Sequence, residues 1–176
     1  MLHFIYAQPP LLIIFLMTTA LALWGCLAAK FHMTLRWQRE NLILSILMAI
    51  AVLYTTILSR SEGNTGLVLT PFAAIAAARQ QPELYREMLM NVFLFFPLGL
   101  TLSNALPQPW RCWRRIAITV AFGCILSAGI EFAQYRFSLG MAEMDDVICN
   151  TLGAFIGATS LLLSHAVEII RKGPKT

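Results

Sequence analysis

Glu131 is the single charged residue in the otherwise uncharged run 116–135, and Cys124, Ser127, Glu131 and Gln134 follow one another at intervals of three, four and three. On a helix that spacing places all four on one face. A second group, Asp145, Asp146 and Asn150, comes shortly after Arg136 and Glu143, and Asn91 stands in an earlier apolar run. These residue types offer three kinds of chemistry. A buried carboxyl and a solvated one can divide the roles of general acid and general base, which makes Glu131, Asp145 and Asp146 weak catalytic candidates. An arginine fork such as Arg136 suits a carboxylate or a phosphate. Carboxylates can also hold Mg²⁺ against a phosphate, although Asp145 or Asp146 at a helix start can equally be a cap. A nucleophile is harder to find. Ser127 lies one turn from Glu131, but His32 and His165 fall toward the opposite side of the membrane and His3 in the N-terminal stub, so no imidazole can serve as its base. The same absence argues against a zinc set. No metal and no cofactor are expected, and binding is favoured over catalysis.

The elements that must position these residues are membrane spans. The chain has 176 residues, 58% hydrophobic and only 12% charged, against about 25% charged in a soluble domain. Five runs, 11–29, 41–59, 88–106, 116–135 and 147–167, approach the ~20 apolar residues that cross a bilayer as a helix. Lipid offers backbone amides no other partner, and no segment alternates as a barrel strand would. The expected architecture is therefore all-α: a single polytopic helical membrane domain spanning residues 1–176. A faint lipoprotein-like box, Leu23-Trp24-Gly25-Cys26, has no cation before it and is not read as a cleavage site.

The segments between the runs set the orientation. Nine of the thirteen Lys and Arg lie in the first and third loops and the C-terminal tail, against four in the second and fourth loops. Cytoplasmic segments carry the excess, so the N-terminus is expected outside and the C-terminus in the cytoplasm. The net charge of +4 is dispersed over short loops and points to topology, with no nucleic-acid partner. Cys26, Cys112 and Cys124 then lie within the membrane or on the inner side, leaving Cys149 alone near the outer face with nothing to pair with. The second loop holds a nearly uncharged stretch, 66–78, too short to cross and interrupted by Pro71. It reads as an interfacial or re-entrant hairpin, the alternative being a sixth span.

On this topology Asn91, Glu131, Gln134, Arg136, Glu143, Asp145, Asp146, Asn150 and the Pro71-Phe72 hairpin all fall in the outer third of the membrane or just above it. Four separate segments contribute to one leaflet, which favours a pocket over a purely structural network. Phe72, Phe93, Phe95 and Phe96 are available to line it. Gly153-x-x-x-Gly157 is a close-packing motif, within the chain or between chains, and oligomeric state is left open. Pro97 removes a backbone donor and invites a kink.

The ordered set of Pro71-Phe72, Asn91-Val-Phe-Leu-Phe-Phe-Pro97-Leu-Gly99, Ser127-x-x-x-Glu131-x-x-Gln134, Arg136 and Asp145-Asp146-x-x-x-Asn150-x-x-Gly153-x-x-x-Gly157 resembles the VanZ-like family. The resemblance covers 71–157, about half of the chain. It implies a multi-helix protein of the bacterial cell envelope whose founding member lowers susceptibility to the glycopeptide teicoplanin, with no established reaction. By position, it makes Asn91, Glu131, Gln134, Arg136, Asp146 and Asn150 the ligand-binding candidates, and Pro71, Phe72, Pro97, Gly99, Gly153 and Gly157 structural ones. Three functions remain open: a non-enzymatic protein that binds or moves a lipid or cell-wall-related amphiphile at the outer leaflet, an intramembrane enzyme acting on a lipid-linked cell-wall intermediate, and a structural or regulatory subunit.

Overall fold

A computed structural model describes residues 10–31, 34–58, 60, 66–78 and 82–172. His3, His32, Arg79 and Lys175, which entered the sequence reading, lie outside them. The chain runs α1 (Pro10–Phe31), α2 (Leu35–Leu53) continuing into a π-helical turn (Tyr54–Leu58), β1 (Gly66–Val68), α3 (Ala73–Ala78), α4 (Pro82–Ala105), α5 (Cys112–Arg136), β2 (Met141–Glu143), α6 (Met144–Ala158) and α7 (Ser160–Lys172). Among the described residues five helices are long and apolar enough to cross a membrane: Leu11–Phe31, Leu35–Leu58, Glu83–Ala105, Cys112–Arg136 and Met144–Arg171. Each of the expected runs is one of these, with polar ends extending beyond the apolar stretch. The fold is an all-α membrane bundle.

The most enclosed helices are α4 and α6, and their contact is made by glycine. A β-carbon on Gly153 would overlap the Val92 carbonyl, one on Gly157 the Phe96 carbonyl, and one on Gly99 the Ala154 carbonyl. Lipid tails supply no hydrophobic drive between spans, so this backbone-on-backbone approach is what holds the pair through dispersion. The Gly153-x-x-x-Gly157 ridge is thus consumed inside the chain. Around it, Ile13 and Met17 of α1 pack with Met90, Val92, Phe96 and Leu100 of α4 and Cys149 of α6. On the other flank Val52, Phe95, Leu98, Ile130 and Ala154 join α2, α4, α5 and α6. Phe95 and Phe96, expected to line a pocket, are core residues at 0% and 2% exposure. The exposed sides of α2 and α5 carry Ile43, Ile46, Leu47, Ile50, Ile125 and Phe132, which suits a face turned to lipid.

Three local features go beyond the sequence reading. The last span is broken at Thr159, whose amide reaches back to Phe155 and Ile156 while its side-chain hydroxyl donates to the Ile156 carbonyl at 2.6 Å. Pro97 lies inside α4 without ending it, and the Thr101 hydroxyl donates to its carbonyl at 2.9 Å. The stretch 66–78 is neither a sixth span nor wholly helical. Its first part, β1, pairs in parallel with β2, Gly66 opposite Met141 and Val68 opposite Glu143, and its second part turns at Pro71-Phe72 into α3. Strands of three residues are too short for alternation to announce them.

Candidate functional site at the carboxylate end of the bundle

Alternation of the five spans brings the C-terminal ends of α2 and α5 and the N-terminal ends of α4 and α6 to one end of the bundle, where the acids gather. Glu131 comes from the buried face of α5, formed by Arg115, Thr119, Gly123, Ser127, Ile130, Glu131 and Gln134. Cys124, expected on that face, is exposed. The true stripe repeats every four residues from Arg115 to Glu131, and Cys124 sits beside it.

Each polar side chain of this end bridges two elements. Asp145, 5% exposed, accepts the backbone N–H groups of Phe72 at 2.6 Å and Ala74 at 2.7 Å. Asn91 of α4 donates to Asp146 Oδ1 of α6 at 2.6 Å. Neither aspartate therefore spends its carboxylate as the cap of its own helix. Glu131 accepts the Glu143 amide at 3.0 Å, which ties β2 to α5. Asn150 donates to Ser127 Oγ at 2.9 Å, so that hydroxyl faces an amide and not a general base. Gln134 donates to the Thr56 carbonyl at 3.0 Å, satisfying one of the carbonyls that the π-helical end of α2 leaves open. The second atoms of these amides, Gln134 Oε1 and Asn150 Oδ1, are buried without a hydrogen-bond partner among the described residues.

Arg136 does not join the group. It is exposed at the end of α5 and, among the described residues, makes no ion pair with Glu131. The cation whose field reaches Glu131 and Asp146 is Arg60, a residue the sequence reading passed over. Gly140, at φ 153, leaves it room: a β-carbon there would stand 2.8 Å from Arg60 Nη1. A glycine ten residues before Asn150 is the one sign of this in the sequence, and it names no partner. Glu143 lies between the spans, and its carboxyl is pushed above the ordinary range by burial and then by the neighbouring charges of Glu87 and Asp145. Among the described residues no three His, Cys, Asp or Glu side chains form a metal-binding set.

The site is thus rich in acceptors, with one arginine at its edge and an apolar rim. Leu67, Leu69 and Phe72 of the 66–78 segment are exposed at 53%, 60% and 57%, beside the carboxylate that holds the turn.

The sequence model of the VanZ/LLP1 family matches residues 41–165. The chain belongs to the VanZ/LLP1 family. The matched region contains the whole motif block 71–157 and begins earlier, inside α2. This family member is 34% identical over 105 residues to "Protein VanZ" of Enterococcus faecium, covering 56% of this chain and 54% of that protein. It therefore spans about half the length of the curated relative it matches. No solved structure matches this VanZ/LLP1 chain.

Proposed function

We propose that this VanZ-like membrane protein is a non-enzymatic component of the cell envelope that binds an amphiphile at the outer leaflet and thereby alters susceptibility to glycopeptides of the teicoplanin type. The observation that carries this reading is the convergence of Asn91, Glu131 and Asp146, from three spans, on one end of the bundle beside Arg60. Ionisable groups inside spans are costly and are kept where they pair or meet a ligand. The unpartnered oxygens of Gln134 and Asn150 favour a ligand that brings hydroxyl or amine donors, and the exposed Leu67, Leu69 and Phe72 offer contact to a lipid tail. Placing this end outside rests on the cation count, which sets the N-terminus outside and the C-terminus in the cytoplasm of a multi-pass cell-membrane protein.

The test is to express the chain in a glycopeptide-sensitive Gram-positive host and to compare teicoplanin and vancomycin susceptibility with an empty vector. The proposal expects a raised inhibitory concentration for teicoplanin and little change for vancomycin. No shift in either at full membrane expression contradicts it.

A further inference from the structure

The opposite end of the bundle carries a second site. A cavity of about 330 Å³ opens between the first turn of α5 and the face of α7, lined by Trp110, Arg111, Arg115, Ser164, His165 and Glu168 among others. That volume is at the lower end of the range for small-ligand pockets. Arg115 is only 6% exposed. Its Nε and Nη2 both donate to the Ser103 carbonyl, at 3.1 and 2.8 Å, which fixes the guanidinium and leaves Nη1 without a partner among the described residues. Ser164 is 5% exposed, lines the same cavity and has no hydrogen-bond partner among the described residues.

Two further features favour an anion. The N-cap residue of α5 is Arg111, whose side chain makes no cap hydrogen bond and has no acceptor to offer, so the positive end of the helix faces the pocket uncapped. The formal charges of Arg111, Arg115 and Glu168 leave one positive charge, the complement of a single phosphodiester. Arg114, in contrast, is taken up by the Trp110 ring, 4.5 Å from its centroid, and does not line the cavity.

We propose that this pocket binds a phosphate group carried by an anionic membrane lipid. Its place at the end of α5, where a span leaves the bilayer and an interfacial tryptophan sits, puts it at headgroup depth, and a basic pocket between spans is the form such recognition takes. The phosphate faces Arg111, the free Nη1 of Arg115 and Ser164.

The test is native mass spectrometry of the purified full-length protein titrated with phosphatidylglycerol, with phosphatidylcholine and with inorganic phosphate. Wild type is expected to retain phosphatidylglycerol about tenfold more tightly than phosphatidylcholine, because both carry the phosphodiester but the choline cation of the latter cancels the headgroup's charge beside a net-positive pocket. Arg111→Gln and Ser164→Ala each weaken phosphatidylglycerol binding by about five- to tenfold, while Arg114→Gln leaves it within about twofold. Arg111 is exposed, so its replacement does not threaten the fold as loss of Arg115 would. Displacement of the lipid by inorganic phosphate alone supports the pocket with a soluble occupant; failure to displace it supports the lipid-borne source. Equal retention of the two lipids by wild type, or an Arg111→Gln protein that binds as wild type does, overturns the proposal.

Discussion

Phe72 stands in the left-handed region at φ 63 and donates its backbone N–H to Asp145 Oδ1 at 2.6 Å, across 73 positions of sequence. A bulky residue at positive φ is held only where the surroundings over-determine it. Here the second carboxylate oxygen takes the Ala74 amide as well, so one acid fixes both the turn and the start of α3. Asp145→Ala strips two backbone donors of their shared side-chain acceptor at a buried site and should cost about 2–4 kcal/mol. Asp145→Asn keeps one acceptor and should cost less. Thermal unfolding in detergent measures both, and proteolysis of the Ala protein should begin within 66–78.

The α4–α6 contact makes a sharper prediction, because it concerns single carbon atoms. Gly99→Ala, Gly153→Ala and Gly157→Ala each force a methyl into a facing backbone carbonyl and should destabilise the bundle by about 1–3 kcal/mol, the usual range for overpacking. Gly129→Ala is the internal control. Nothing lies within 4 Å of a β-carbon there, so its melting temperature should stay level or rise slightly, as helix propensity alone would have it.

Glu143 supplies a pH dependence. Its folded-state carboxyl titrates above the ordinary value of 4.5 because burial and the charges of Glu87 and Asp145 oppose ionisation. The fold thus favours the neutral acid. Its stabilising contribution is complete below the ordinary value and is lost as the pH rises through the raised one. Glu143→Gln cannot ionise, so its melting temperature relative to wild type should climb as pH increases from 4 through the carboxylate range. A difference that stays constant with pH would mean that Glu143 is not the group responsible.

The orientation is open to chemical labelling. Ser138, exposed beyond the end of α5, and Trp113, exposed in its first turn, mark the two ends. In a cysteine-free background, a membrane-impermeant thiol reagent added to intact cells should label Ser138→Cys and spare Trp113→Cys until the cells are opened. The reverse pattern would invert the topology.

The five spans were legible because a bilayer is an unforgiving solvent: uncharged runs of about twenty residues have few other uses. Asn91, Glu131, Asp146 and Asn150 stood out for the same reason, as polar groups in places that lipid penalises. What the chain did not disclose were relations made in three dimensions. Arg136 follows Glu131 by five residues, which turns it to another face, whereas Arg60 approaches from a loop 71 positions before Glu131, with only Gly140 to mark its path. The glycine ridge was recognisable as a contact, but not as one that α4 would occupy. Phe95 and Phe96 were read as pocket lining because apolar type alone does not distinguish a ligand-facing ring from a packed one. The break at Thr159 has no proline to signal it, and Gly157, two residues before, was read as a packing residue.

The central claim is that Glu131 and Asp146 serve a function beyond holding the fold. Glu131→Gln still offers an oxygen to the Glu143 amide, and Asp146→Asn still offers one to Asn91, so both replacements remove the ability to ionise while keeping the hydrogen bonds that the structure shows. The decisive measurement is teicoplanin susceptibility of a sensitive host carrying wild type or either variant, at equal membrane levels and with melting temperatures recorded on the purified proteins. The account predicts that both variants lose the teicoplanin shift while melting close to wild type. Variants that keep the shift, or that lose it only in proportion to lost stability, would make these carboxylates structural and contradict it.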